Sequence, residues 1–300
     1  MRRIRLFLLV LLCLMGGLPG LAVPVAGEAP PATTASRMRV SKDAAHKPRA
    51  LQTEITHITL GSGQKVDLVA AVHLGEAEYY AGLNRRFKQY DAVLYELVVG
   101  GSSPKGPIEI PKDGESASGL SQVQLTLCRL LGLKFQLYAI DYSAPNFRHA
   151  DLTYDEFQRA MEKSGESPAT LLMKILQIAI STSGTVDEHE LDDVDLLTIL
   201  TRGPTPKEQR ALRRMFAACF PEVERLTAEI QGTALIAGRN KRAVQVLERE
   251  LKAGRRTIAV FYGAGHMADM EQRVLQLAGA RVTGREWLDA WHLEEPTRHH

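Results

Sequence analysis

Val66-Asp67-Leu68-Val69-Ala70-Ala71-Val72-His73 decides the fold. Apart from Asp67 the run is apolar up to His73, the pattern of a strand buried on both faces. Residues 75–89 follow with Tyr79, Leu83 and Phe87 spaced four apart and Tyr80 alongside, which is one face of a helix. Residues 92–99 then read as a second strand, Ala92-Val93-Leu94-Tyr95 and Leu97-Val98-Val99, interrupted by Glu96. Strand, helix and strand in this order make a βαβ unit, whose strands run parallel. His73 therefore stands at a strand's carboxyl end, the edge where open α/β sheets collect ligands.

The far end of the chain repeats the arrangement. Thr257-Ile258-Ala259-Val260-Phe261-Tyr262-Gly263-Ala264-Gly265 ends in His266, 193 residues after His73. A helix at 267–277, a stop at Gly279 and a short strand at 280–283 complete this half. Between the two halves, residues 120–131 read as a helix and 135–140 as a third strand, followed by Asp141. From Thr153 the pattern becomes helical: Thr153 and Glu156 form a capping pair, and Pro206 opens a later helix. The expected fold is α/β, with a split, mostly parallel central sheet from two βαβ-type halves. A large helical insertion is expected at about 153–251.

Residues 1–26 resemble a secretory signal: Arg2, Arg3 and Arg5, an apolar run from Leu6 to Met15, then a small-residue cleavage site at Gly20-Leu21-Ala22. An uncleaved anchor is the alternative and the one membrane contact expected. Residues 27–50, rich in Ala, Pro, Ser, Thr and Lys without a period, read as a disordered linker, which leaves 51–295 as the folded domain. Without residues 1–26 the chain carries 34 basic and 35 acidic residues, so its basicity belongs to the leader and no nucleic-acid partner is expected. The localisation expected is periplasmic or secreted. Cys128 and Cys219 lie in helix-like apolar contexts; export permits their pairing, while buried thiols are the plainer outcome.

Two imidazoles delivered to one sheet edge suit a divalent transition metal. Glu96 interrupts a strand that otherwise reads as buried. A carboxylate there needs a partner or a metal, unless the position is an edge facing solvent. Together, His73, His266 and Glu96 form a ligand set with an open position for water. Arg239 and Asn240, with Lys241 and Arg242 beyond, sit where a helix starting near Gly238 would have its positive end. Cations there break a local rule, which often marks function; a solvated helix face is the alternative. Asp141 is either a support for a histidine or a turn residue. His149 reads as a surface or cap residue, and His189 as part of a solvated acidic loop. The chain has no Gly-x-Ser-x-Gly elbow, which disfavours a serine hydrolase.

Gly238-Arg239-Asn240 and Gly263-Ala264-Gly265-His266, with His73 and Tyr95-Glu96-Leu97, resemble the TraB/GumN family, which includes the TIKI metalloproteases. The resemblance spans about 51–282. It implies a split parallel-sheet fold like those of erythromycin esterase and the haem-binding ChaN proteins. It also implies metal-dependent peptide-bond hydrolysis, as in the TIKI branch. Matching positions are His73 and His266 for metal, with Glu96 as a third ligand or as general base, and Arg239 and Asn240 to position substrate or stabilise an oxyanion. The first motif departs from the pattern: Ala70 stands where the family has glycine. The expected activity is that of an exported metal-dependent hydrolase, a peptidase using Mn, Co or Zn and a metal-activated water. The alternative is a non-catalytic protein of this fold that sequesters a peptide, haem or another small ligand.

Overall fold

A computed structural model of the chain describes residues 36–104, 106, 108, 110, 119–163, 199, 202–218 and 234–294. The signal reading at 1–26, the acidic stretch with His189, Cys219 and the terminal histidines lie outside them. In chain order the strands are β1 (Met38–Lys42), β2 (Pro48–Thr59), β3 (Lys65–Ala71), β4 (Leu74–Gly75), β5 (Ala92–Tyr95), β6 (Lys134–Phe135), β7 (Phe147–His149), β8 (Thr257–Gly263) and β9 (Arg281–His292). The α-helices are α1 (Ala77–Phe87), α2 (Gly119–Leu131), α3 (Gln136–Ala139), α4 (Tyr154–Lys163), α5 (Pro206–Ala218), α6 (Arg239–Lys252) and α7 (Met267–Val274). A π-helical segment, Ala234–Gly238, leads into α6, and a 3₁₀ turn, Ala264–His266, leads into α7.

The fold is α/β around a mixed sheet ordered β1-β2-β3-β8-β5-β7, with β9 on the other side of β2. β3, β8, β5 and β7 are mutually parallel; β1, β2 and β9 join antiparallel. β8 fills the middle, and Ile258 through Tyr262 are all buried, as a continuous apolar run requires of a strand covered on both faces. The βαβ geometry suggests that β3 and β5 are neighbours, yet β8 lies between them. The two histidine strands are therefore adjacent, rather than sitting in separate parts of the sheet.

α1 buries the expected stripe of Tyr79, Tyr80, Leu83 and Phe87. Phe87 meets Phe261 of β8 and Phe147 of β7 edge-on, with ring centroids 4.9 and 5.6 Å apart. Burying one such side chain is worth about 1.5–3 kcal/mol, so α1 is fastened chiefly through this face. The Tyr80 hydroxyl donates to the carbonyl of Val72 at 2.8 Å, which ties the helix to the residue before His73. The predicted capping pair forms, and a second one not read from the sequence stands at the start of α5. The Thr153 backbone donates to Glu156 at 2.9 Å and Glu156 returns a bond to the Thr153 hydroxyl, and Thr205 and Glu208 do the same ahead of Pro206.

Three further expectations are corrected. The stretch 27–50 is not all linker, because β1 and the start of β2 lie within it and Arg37, Met38 and Ala50 are buried. Arg37 is held by Glu54 and Glu271 at 3.0 and 2.6 Å, an anchorage that composition cannot display. The expected strand at 135–140 is a two-residue strand followed by the short helix α3, and the outer parallel strand is β7. The final strand is far longer than 280–283. Its polar side chains have partners, Arg285 on Glu54 of β2 and Glu271 of α7 and Asp289 accepting from Gln52 of β2, so its polar pattern does not prevent pairing. Among the described residues of 154–252 the named elements are helical, and no described helix is long and apolar enough to cross a membrane.

Candidate functional site

The register of the parallel strands brings the sequence candidates to one edge. Ala71 of β3 pairs with Gly263 of β8, and Tyr95 of β5 pairs with Phe261. His73, His266 and Glu96 thus leave three consecutive strands at their carboxyl ends. Glu96 continues the ladder by one more bond, its backbone donating to Phe261 at 3.3 Å. Its side chain turns inward: Oε2 accepts the Gly263 amide at 2.6 Å, and Oε1 faces Arg239 Nη2 at 2.7 Å and His266 Nε2 at 3.4 Å. A Cβ on residue 263 would stand 3.3 Å from Glu96 Oε2 and 3.9 Å from the His266 ring, so glycine here admits the carboxylate to the backbone amide. Glu96 is not at a solvent-facing edge.

Arg239 and Asn240 reach this cluster from the start of α6. The helix does not begin at a bare terminus: the π segment runs straight into it and Gly238 is already helical, so the expected positive helix end is absent. Both residues are buried. Asn240 donates to the His266 carbonyl at 3.0 Å and to Asp269 at 2.8 Å, which fixes its amide so that Oδ1 faces His266 Nδ1 at 2.7 Å. Amide oxygen only accepts, so Nδ1 carries the proton and, in the neutral ring, the Nε2 lone pair points at Glu96. The ring of Tyr262 meets His266 edge-on at 5.3 Å, and its hydroxyl donates to the Ala150 carbonyl at 2.6 Å.

Asp151, which sequence reading passed over, completes the site. It is buried just past β7 and accepts two parallel bonds from Arg239, from Nε at 2.9 Å and from Nη2 at 2.5 Å. β7 has three residues, too short a run to show as a strand, so nothing in the sequence marks Asp151 as standing at its end. Asp141 instead serves a turn, accepting from the amide and hydroxyl of Ser143. His149 is buried rather than at the surface.

Electrostatics follow from the packing. Burial alone would raise Glu96; Arg239 first, and the His266 and His73 rings in their protonated form, outweigh it and hold the carboxylate well below its usual range. Burial likewise works against the Arg239 charge, and Asp151 and Glu96 more than restore it. One guanidinium thus faces two buried carboxylates, and the excess negative charge favours a further cation. For a tetrahedral ion with ligands about 2.0–2.2 Å away, neighbouring ligands stand about 3.4 Å apart. The separation of 3.4 Å between Glu96 Oε1 and His266 Nε2 fits two of its positions. Among the described residues no group of three or more His, Cys, Asp or Glu is arranged to hold a metal, so His73 would have to turn in from the neighbouring strand end as third ligand. Comparison with protein-family models, curated proteins and solved structures found no match to the chain.

Proposed function

We propose that the chain is an exported metal-dependent hydrolase, with a peptide as the substrate class favoured by its resemblance to the TraB/GumN and TIKI proteins. One observation carries the reading: Asn240 fixes the His266 tautomer so that Nε2 and Glu96 Oε1 converge, 3.4 Å apart, at the carboxyl edge of the sheet. His266, His73 and Glu96 would hold the ion, one of Mn, Co or Zn. Such an ion lowers the pKa of a water and polarises a carbonyl. The chain's own residues do the rest. Arg239 keeps Glu96 ionised, so that it can serve as ligand or accept a proton, and Asn240 keeps the imidazole aimed. Arg239 is turned towards Asp151 and Glu96, which supports a role in shaping the site beside its suggested contact with substrate. On this reading the sheet consists of two βαβ-type halves, and the segment at about 153–251 is a helical insertion that roofs the cleft. Residues 1–26 would direct the chain to the periplasm or the exterior.

A second reading, a binding protein without turnover for a peptide, haem or another small ligand, is favoured by one fact. Both Glu96 oxygens already have protein partners, Arg239 and the Gly263 amide. Elemental analysis of untagged protein, beside a His73→Ala, His266→Ala double variant, tests the metal. Stoichiometric metal in the wild type, lost from a folded double variant, is the expected result. No metal after dialysis against Mn, Co or Zn would overturn the hydrolase reading, and bound metal without cleavage of any peptide in a broad panel would favour the binding protein.

A further inference from the structure

A second constellation stands on the same sheet edge, one strand outward. β5 and β7 pair as far as Tyr95 and His149, and the two chains next meet at a single bridge, Val99 with Thr153. The carbonyl of Leu97, between these points, lies 2.6 Å from His149 Nε2. A carbonyl only accepts, so Nε2 carries the proton and the neutral ring keeps its lone pair on Nδ1. Ser103 Oγ lies 2.7 Å from that lone pair and donates to it. His149 is buried, with the Tyr95 ring edge-on at 5.7 Å, whereas Ser103 is only half-buried. Satisfying the Leu97 carbonyl accounts for Nε2, but no backbone group requires anything of Nδ1. A hydroxyl on a half-buried residue, a base within hydrogen-bond distance and a third group fixing the base's tautomer are the parts of an activated serine.

We propose that Ser103 is an acyl-accepting nucleophile activated by His149, with the Leu97 carbonyl in the orienting place often held by aspartate, and that small activated esters are its substrate class. Ser103 Oγ bonds to the ester carbonyl carbon while its proton passes to His149 Nδ1. The bond from that carbon to the alcohol oxygen breaks, and the alcohol leaves with this proton. Water then adds to the acyl carbon and gives a proton through Nδ1 to the departing serine oxygen, which releases the carboxylic acid and restores Ser103. No metal takes part, so the pair stands or falls separately from the function proposed above.

Diisopropyl fluorophosphate, applied to the full chain with and without EDTA and read by intact mass and peptide mapping, is the test. One adduct on Ser103 is expected, unaffected by EDTA, absent from Ser103→Ala, and slowed roughly 10²–10⁴-fold in His149→Gln, the usual worth of a positioned base. No adduct, an adduct elsewhere, or a folded His149→Gln that reacts at the wild-type rate would overturn the proposal. If His149→Gln does not fold, Ser103→Cys decides. Its alkylation by iodoacetamide at pH 6.5 should run at least about tenfold faster than that of a free thiol, because the imidazole base generates thiolate; parity with the free thiol would overturn the proposal.

Discussion

Asp151→Ala and Arg239→Met, made singly and together, probe how the buried charges are held. Asp151 is fully buried and contributes two bonds to the guanidinium, at 2.9 and 2.5 Å, and a third, at 2.7 Å, from the Leu152 amide. Removing one partner of a buried ion pair leaves an uncompensated charge and costs about 3–5 kcal/mol. Asp151→Ala leaves Arg239 with Glu96 alone, and Arg239→Met leaves two carboxylates with no guanidinium between them. The double variant removes the mismatch that each single variant creates at their shared contact. Its loss should therefore fall short of the sum by about 2–3 kcal/mol. Urea unfolding followed by the fluorescence of Trp287 and Trp291, both in β9, gives the three free energies. A single loss of about 3 kcal/mol should also lower Tm by roughly 6–12 °C in a domain of this size. Additivity within about 0.5 kcal/mol, or an Asp151→Ala loss below about 1 kcal/mol, would refute the account of Arg239 and Asp151 as one buried unit.

Asn240→Ala removes the acceptor that aims His266, so cobalt affinity measured by titration should drop about 10–100-fold; unchanged affinity would show that His266 is not a ligand. Glu96, held below the carboxylate range, contributes stability above the unfolded value of about pH 4.3, lost only as pH falls through its lower folded value. In Arg239→Met the largest opposing charge is gone and the folded value rises towards the unfolded one, so the variant should lose less stability than the wild type on acidification below about pH 4.3; parallel midpoint curves for the two proteins would contradict this. Burial pushes the Cys128 thiol up to about 11, so peptide mapping after treatment with a disulfide reagent at pH 8 should find it unmodified until urea is added.

Periodicity and punctuation made part of this molecule legible in its sequence. The stripe Tyr79, Leu83 and Phe87 announced α1, and Thr153 with Glu156 announced α4. His73, Glu96 and His266 were visible because each ends or breaks an apolar run, and these runs do become β3, β5 and β8. What stayed hidden depends on long-range pairing. β9 looks too polar until Arg285 is seen against Glu54 and Glu271. β1 looks like linker until Arg37 is seen against the same two acids. Asp151 could not be distinguished from an ordinary loop aspartate because its partner lies 88 residues downstream. Strand order was hidden too, since no local signal tells that β8 slips between β3 and β5.

That slip has a consequence for how the molecule comes into being. β3 and β5 are synthesised early, but the strand that joins them ends at Gly263, 168 residues after Tyr95. At about 5–20 residues per second, a ribosome needs on the order of ten to thirty seconds to make that stretch. Throughout that interval β3 and β5 have no central neighbour, and closing the sheet awaits a loop of low contact probability. A nascent chain halted before 257 should stay open and protease-sensitive, and the newborn protein depends on whatever shields two apolar strands until about its own last seventh arrives.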